Sequence, residues 1–258
     1  MKRFCFTVDD NIRFLKELTE GSYASVFEHP YMGVYKRLHD RLALKVQLNL
    51  FYQTTDGSFD LSKMTDRFKQ EWLENADWLK LSFHSRLEDV RPYESSGYDE
   101  VFTDCKKVHR EICRFAGERC LAKTTTIHFC LATEAGLTAL KDNGVQGLLG
   151  LYGNSRDENL LYQLTDEQAK RIAQGEIVYQ DGIAYAGIDL VLNLYEKADI
   201  LSRLQALVSR DMIKVMIHEQ YFYSDYPLYQ KDFEEKLYAT FAELTKRGFY
   251  SSFFEEWR

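Results

Sequence analysis

Phe4-Cys-Phe-Thr-Val-Asp-Asp-Asn11 is the stretch on which the fold turns. Phe4, Cys5, Phe6 and Val8 form a short, continuous apolar run, the pattern of a strand buried on both faces in a parallel sheet. The run stops at two adjacent carboxylates, Asp9 and Asp10, and a helical pattern opens at Ile12 and continues to Leu18. In α/β folds the carboxyl ends of parallel strands are where ligands and metals bind. Asp and Asn also cap helices, but a cap takes one such residue. Three in a row predict a site.

Working outward, strand and helix patterns alternate. Helical periodicity covers Tyr31 to Leu42, and Ala43 to Phe51 reads as the second strand, with Leu44, Val46, Leu48 and Leu50 on one face. A charged helix is predicted over Leu61 to Ala76 and a third strand over Trp78 to Phe83, followed by His84-Ser85-Arg86-Leu87-Glu88. Val101 to Ala116 is amphipathic, and Thr124 to Phe129 is a β-branched fourth strand with His128 near its end. A helix over Glu134 to Asp142 leads to a fifth strand, Val145 to Leu149. Ile177 to Tyr185 contains Asp181-Gly182 between two apolar runs, a hairpin signal that reads as a small insertion. Ile188 to Asn193 and Ile213 to Ile217 are the remaining strands, with helices over Asp199 to Ser209 and Asp232 to Arg247. With no linker and no repeat, residues 1–258 are expected to form one domain. Strand and helix alternating seven or eight times predict a parallel sheet with helical crossovers, most simply a (β/α) TIM-like barrel with seven or eight parallel strands and a β-hairpin insertion, a doubly wound open sheet being the alternative.

Composition narrows the function. Aromatic residues make up 14% of 258 residues and Pro is scarce, an ordered globular balance. The 40 Asp and Glu outnumber the 33 Lys and Arg, which argues against nucleic acid or an anionic membrane as partner. The apolar run after Met1-Lys-Arg breaks at Asp9, too early for a signal-peptide core, and no stretch approaches a membrane span. Cys5, Cys105, Cys113, Cys120 and Cys130 are odd in number and lack C-x-x-C spacing, so reduced thiols and a cytoplasmic location are expected. No phosphate-binding glycine motif is present.

A barrel gathers Asp9, Asp10, His84, Glu88, His128, His218 and Glu219 on one rim. Carboxylates and imidazoles together suit a divalent transition metal, zinc above all, held with a position open for water. One helical turn would bring Glu88 to the side of His84. A solvated loop acid is the alternative for Glu88, and His128 reads as a core histidine. Tyr221, Phe222 and Tyr223 follow on the same rim, where they either stack on a bound ligand or pack as ordinary aromatics. His218-Glu219 is not a metalloprotease motif, because Phe222 stands where the second His is required.

These residues resemble a family. Thr7-Val-Asp-Asp-Asn11 is similar to the Thr-Phe-Asp-Asp-Gly motif of NodB-like polysaccharide deacetylases. Phe83-His84-Ser85-x-x-Glu88 resembles their His-Ser/Thr-x-x-His, and Met216-Ile-His218 their late Leu-x-His. The resemblance implies a distorted barrel and a metal-dependent hydrolase that removes an acetyl group from a carbohydrate or similar amide. It makes Asp9 the general base, Asp10 and His84 metal ligands and His218 the acid, with Glu88 at the third ligand position where the family has His. The arginine-rich motif is missing, with Thr126-Ile-His128 at about its place, so that the resemblance would have His128 orient Asp9 as that Arg does, and Asn11 replaces Gly. A cytoplasmic N-acetylated sugar is the expected substrate. A glycoside hydrolase on the same barrel, or a non-catalytic carbohydrate- or partner-binding relative, is the alternative.

Overall fold

Alternation of strand and helix carries through the chain in a computed structural model that describes residues 2–88, 93–151 and 162–257. The elements are β1 (Arg3–Asn11), α1 (Arg13–Glu20), α2 (Pro30–Leu42), β2 (Val46–Phe51), α3 (Lys69–Glu74), β3 (Leu79–Ser85), α4 (Tyr98–Phe115), β4 (Thr124–Thr125) and α5 (Glu134–Asp142). They continue as β5 (Gly147–Gly150), α6 (Asp166–Ala173), β6 (Val178–Gln180), β7 (Ile183–Gly187), β8 (Leu190–Val191), α7 (Lys197–Leu207), β9 (Met212–His218), α8 (Phe233–Lys246) and β10 (Tyr250–Ser251). One sheet has the order β3-β2-β1-β9-β8, with β10 beside the start of β1; the other has the order β4-β5-β7-β6. Every described pair is parallel except β6 with β7. The sheets come together where Leu81 of β3 bridges Leu121, and where β7 runs on into β8. This is the parallel (β/α) arrangement that the strand count predicts, in the distorted form that the resemblance implies.

Alternation along the strands separates two interiors. Phe4, Phe6 and Val8 of β1, Leu48 and Leu50 of β2 and Val215 and Ile217 of β9 join the core beneath the helices. Phe6 lies 4.7 Å from the ring of Phe241 on α8, and truncating such a buried ring costs about 3–5 kcal/mol. Residues on the other face look into the barrel. Cys5, Met216, Leu149 and Trp257 form a small apolar cluster, and the layer nearer the carboxyl ends is polar. There Gln47 donates to Asn49 (2.8 Å) and to the Thr124 carbonyl (2.8 Å), and Ser82 donates to the same carbonyl (2.8 Å).

Three expectations change. The helix predicted over Leu61 to Ala76 is a 3-10 turn at Leu61–Lys63, which Asp60 caps at its start by accepting from the Ser62 amide, and the short α3. The fourth strand stops at Thr125, because Phe129 and Cys130 adopt left-handed backbone angles in a turn that contains His128. The hairpin has its predicted turn, with φ of 51° at Asp181 and 85° at Gly182. Its second arm, however, is β7, which pairs with β5 in the sheet, so only β6 is additional. The amphipathic helix predicted from Val101 begins one turn earlier, at Tyr98.

Candidate metal centre

The exit of β1 is shaped so that both aspartates reach one cleft. Successive strand residues normally face opposite ways. Here the β1–β2 register shifts between Val8 and Asn11, and Asp10 takes φ = 64°, a left-handed conformation that Asp tolerates better than most residues. The bulge re-aims Asp10 beside Asp9. Neither Asp10 nor Asn11 caps α1. The cap comes from the turn that follows β9: the buried Glu219 carboxylate accepts from the amides of Ile12 (2.7 Å), Arg13 (3.1 Å) and Phe14 (2.8 Å), and from the Tyr223 hydroxyl (3.0 Å). Asn11 braces the turn from inside, donating to the Val8 and Asn49 carbonyls while Tyr31 donates to its oxygen.

Asp9, Asp10, His84, Glu88, His128, His218, Gln220 and Tyr221 all line one cleft of about 450 Å³. Within it, the ligand atoms of Asp10, His84 and His128 lie within 4.8 Å of one another. Asp10 Oδ1 is 3.0 Å from His84 Nε2 and 3.4 Å from His128 Nδ1. Each imidazole is anchored through its other nitrogen. His84 Nδ1 donates to the Thr126 carbonyl at 2.5 Å, and His128 Nε2 donates to the Glu88 carbonyl at 2.7 Å. Those bonds leave His84 Nε2 and His128 Nδ1 as acceptors, pointed at each other 3.1 Å apart. Two neutral imidazole nitrogens and a carboxylate oxygen repel one another unless a positive charge sits among them. Either a proton or a metal ion meets that need, and a second-nitrogen anchor on a carbonyl is how metal-binding histidines are commonly held.

The charge balance shows the proton alternative. Burial works to raise the Asp10 carboxyl, but hydrogen bonds from His128 and His84 outweigh it and hold it well below the ordinary range. Burial works to lower His84, and the Asp9 and Asp10 carboxylates outweigh that and raise it. Asp9 is raised by its burial, against the pull of His84 and His218. Its carboxylate receives a 2.6 Å hydrogen bond from Asn49. His218, level with Asp9 in the β1–β9 register, has Nδ1 at 2.9 Å from Asn193 Oδ1. The amide oxygen only accepts, so Nδ1 carries the hydrogen.

Asp9, Asp10, His84 and His218 are thus brought together as the sequence predicts. Glu88, expected as a ligand, lines the cleft with an exposed side chain, and its carboxylate is not in the ligand group. After Ser85 the chain bends instead of making a helical turn, so four-residue spacing does not return Glu88 to the side of His84. His128, read as a core or orienting residue, stands in the third position, and Asn49 holds Asp9. The strand-end position of His128 was a visible signal; Asn49, Asn193, Thr126 and Gln220 carry none. Of the aromatic run, Tyr221 lines the cleft while Phe222 and Tyr223 pack on Tyr31. Among the described residues no helix is long and apolar enough to cross a membrane.

No protein-family model and no curated protein matches the chain. Solved structures do. A family 4 acetyl xylan esterase from Clostridium thermocellum, in complex with a cobalt ion, aligns over 99% of this chain and 89% of its own, at 12% identity and a TM-score of 0.55. A proposed polysaccharide deacetylase from Mycobacterium smegmatis aligns over 99% and 88%, at 10% identity and 0.57. A 4-alpha-glucanotransferase from Thermococcus litoralis aligns over 99% of this chain but 40% of its own, at 14% identity and 0.59. At these identities the likeness is one of fold: the chain has the α/β fold found in family 4 carbohydrate esterases and polysaccharide deacetylases.

Proposed function

We propose that this chain is a metal-dependent hydrolase that removes an acyl group, acetyl in the simplest case, from a carbohydrate or similar small amide. The observation that carries the reading is the convergence of one carboxylate oxygen and two carbonyl-anchored imidazoles beside Asp9 and His218. Two nitrogens and one oxygen form a donor set suited to zinc, with positions to spare for water and substrate. Asp10, His84 and His128 would hold the ion, which when bound would acidify water and polarise the acyl carbonyl. Asp9, held by Asn49, takes the water's proton. His218 delivers a proton from Nε2 to the departing nitrogen or oxygen, its orientation set by Asn193. Tyr221 offers a ring face to a sugar.

The glucanotransferase likeness keeps a glycoside-bond reading in view, since the fold does not choose the reaction. Such chemistry needs two carboxylates flanking the bond, whereas Asp10 is engaged by two histidines and Gln220. The five unbridged cysteines suit a reducing compartment, so a cytoplasmic acetylated sugar precursor, processed by one domain, is the proposed substrate. The test is element analysis of purified protein together with a screen of N- and O-acetylated sugars for acetate release. Stoichiometric metal and chelator-sensitive release support the proposal. Protein that takes up no added zinc, cobalt or manganese and releases no acetate overturns it and favours a binding role.

A further inference from the structure

Asp10 offers its two oxygens to different partners. Oδ1 faces the histidines, while Oδ2 accepts a 2.8 Å hydrogen bond from Nε2 of Gln220. Gln220 belongs to the 3-10 turn Glu219–Phe222 that follows β9. Its neighbour Glu219 binds the amides of Ile12, Arg13 and Phe14. One short turn therefore grips the exit of β1 twice, through its main chain and through the Asp10 side chain.

The orientation of the Gln220 amide is settled by chemistry. A carboxylate only accepts, so Nε2 must face Asp10, and Oε1 is left buried with no partner among the described residues. A buried acceptor without a donor costs about 1–3 kcal/mol. Methionine has the same reach and would fill the space without that cost, so packing does not explain a glutamine here. Its position does: with Asp10 and Glu88, Gln220 lines both the 450 Å³ cleft and a second cleft of about 260 Å³ beside it.

We propose that Gln220 is a positioning residue of the metal centre, tethering Oδ2 of Asp10 so that Oδ1 alone is presented between His84 and His128. The inference rests on the proposed function. Without the tether, the carboxylate is free to turn both oxygens toward a cation or to swing away. The tether makes Asp10 a one-oxygen ligand and preserves open positions for water and substrate. Partners of this kind usually change metal affinity by about 10–100-fold.

The test uses the full chain, titrated with zinc in competition with a chromophoric chelator and, separately, with cobalt(II), whose visible spectrum reports coordination number. Gln220→Met is expected to weaken zinc binding by about 10–100-fold and to alter the intensity of the cobalt spectrum. Metal-free thermal stability should be unchanged or higher, since an orphaned acceptor is removed. Gln220→Asn, which keeps the amide but is one methylene too short, should show the same loss and carries the test if the Met variant does not fold. Wild-type affinity and an unaltered cobalt spectrum in the variants overturn the inference while leaving the proposed function standing. A wild-type protein that binds neither metal overturns both.

Discussion

His84 and His128 are 44 positions apart in the chain, yet their acceptor nitrogens meet 3.1 Å apart, each ring held from behind by a backbone carbonyl. The carbonyl on His128 belongs to Glu88, the residue whose spacing from His84 imitates a ligand pair. The loop after β3 thus serves the centre through its main chain, and the turn after β4 supplies the imidazole.

Under the proposed function this arrangement makes His128 the expected third ligand. His128→Ala is expected to strip metal as thoroughly as His84→Ala or Asp10→Asn, a loss exceeding the 10–100-fold effect of an outer partner. Glu88→Gln, which leaves the carbonyl in place, should bind metal within a few-fold of wild type. Competition titration of the four variants checks this; metal loss in Glu88→Gln with retention in His128→Ala would return the ligand role to Glu88.

Under the proposed function the neighbours Asp9 and Asp10 have separate tasks. Asp9→Asn is expected to keep its metal and lose roughly 10² to 10⁴-fold in turnover, the usual worth of a positioned base. Asn49→Leu should lower kcat in the same direction by a smaller factor, with metal content unchanged. Metal analysis beside acetate-release kinetics decides whether the two properties separate.

Glu219 is expected to act on stability. Glu219→Ala leaves the amides of Ile12, Arg13 and Phe14 without their acceptor, at a cost of roughly 2–4 kcal/mol. Glu219→Gln, which retains one accepting oxygen, should cost less. Denaturant unfolding of the metal-free proteins measures both, and equal stability of the Ala variant and wild type would remove Glu219 from the cap.

His109, which does not line the cleft, is expected to set a pH dependence of stability. Burial on α4 pushes its imidazole down to about 4 from an ordinary 6.5. Above pH 6.5 the ring is neutral in both folded and unfolded chains. As pH falls through 6.5 toward 4, the unfolded chain takes up a proton that the folded one refuses, so stability is lost with falling pH, on the order of 3 kcal/mol at the limit. His109→Gln should flatten that part of the stability-against-pH curve. An unchanged slope between pH 6.5 and 4 would show that the ring titrates normally.

Local sequence carried the periodic features and the strand-end chemistry. The buried run Phe4 to Val8, the alternation of β2 and the helix Glu134–Asp142 were legible because apolar spacing is a local property that burial reads directly. Asp9, Asp10, His84 and His218 were legible because a titratable residue ending an apolar strand of a parallel sheet has only the rim to go to. Tertiary structure decided everything that depended on where a chain leaves its strand. Two left-handed residues after Ile127 turn His128 into the cleft, and a bulge at Asp10 puts two consecutive carboxylates on one side. Asn49, Asn193, Gln220 and Glu219 find their partners across 40, 25, 210 and about 206 positions of chain. Neutral amides and backbone carbonyls have no preferred spacing, so their roles exist only once strands distant in sequence are laid side by side.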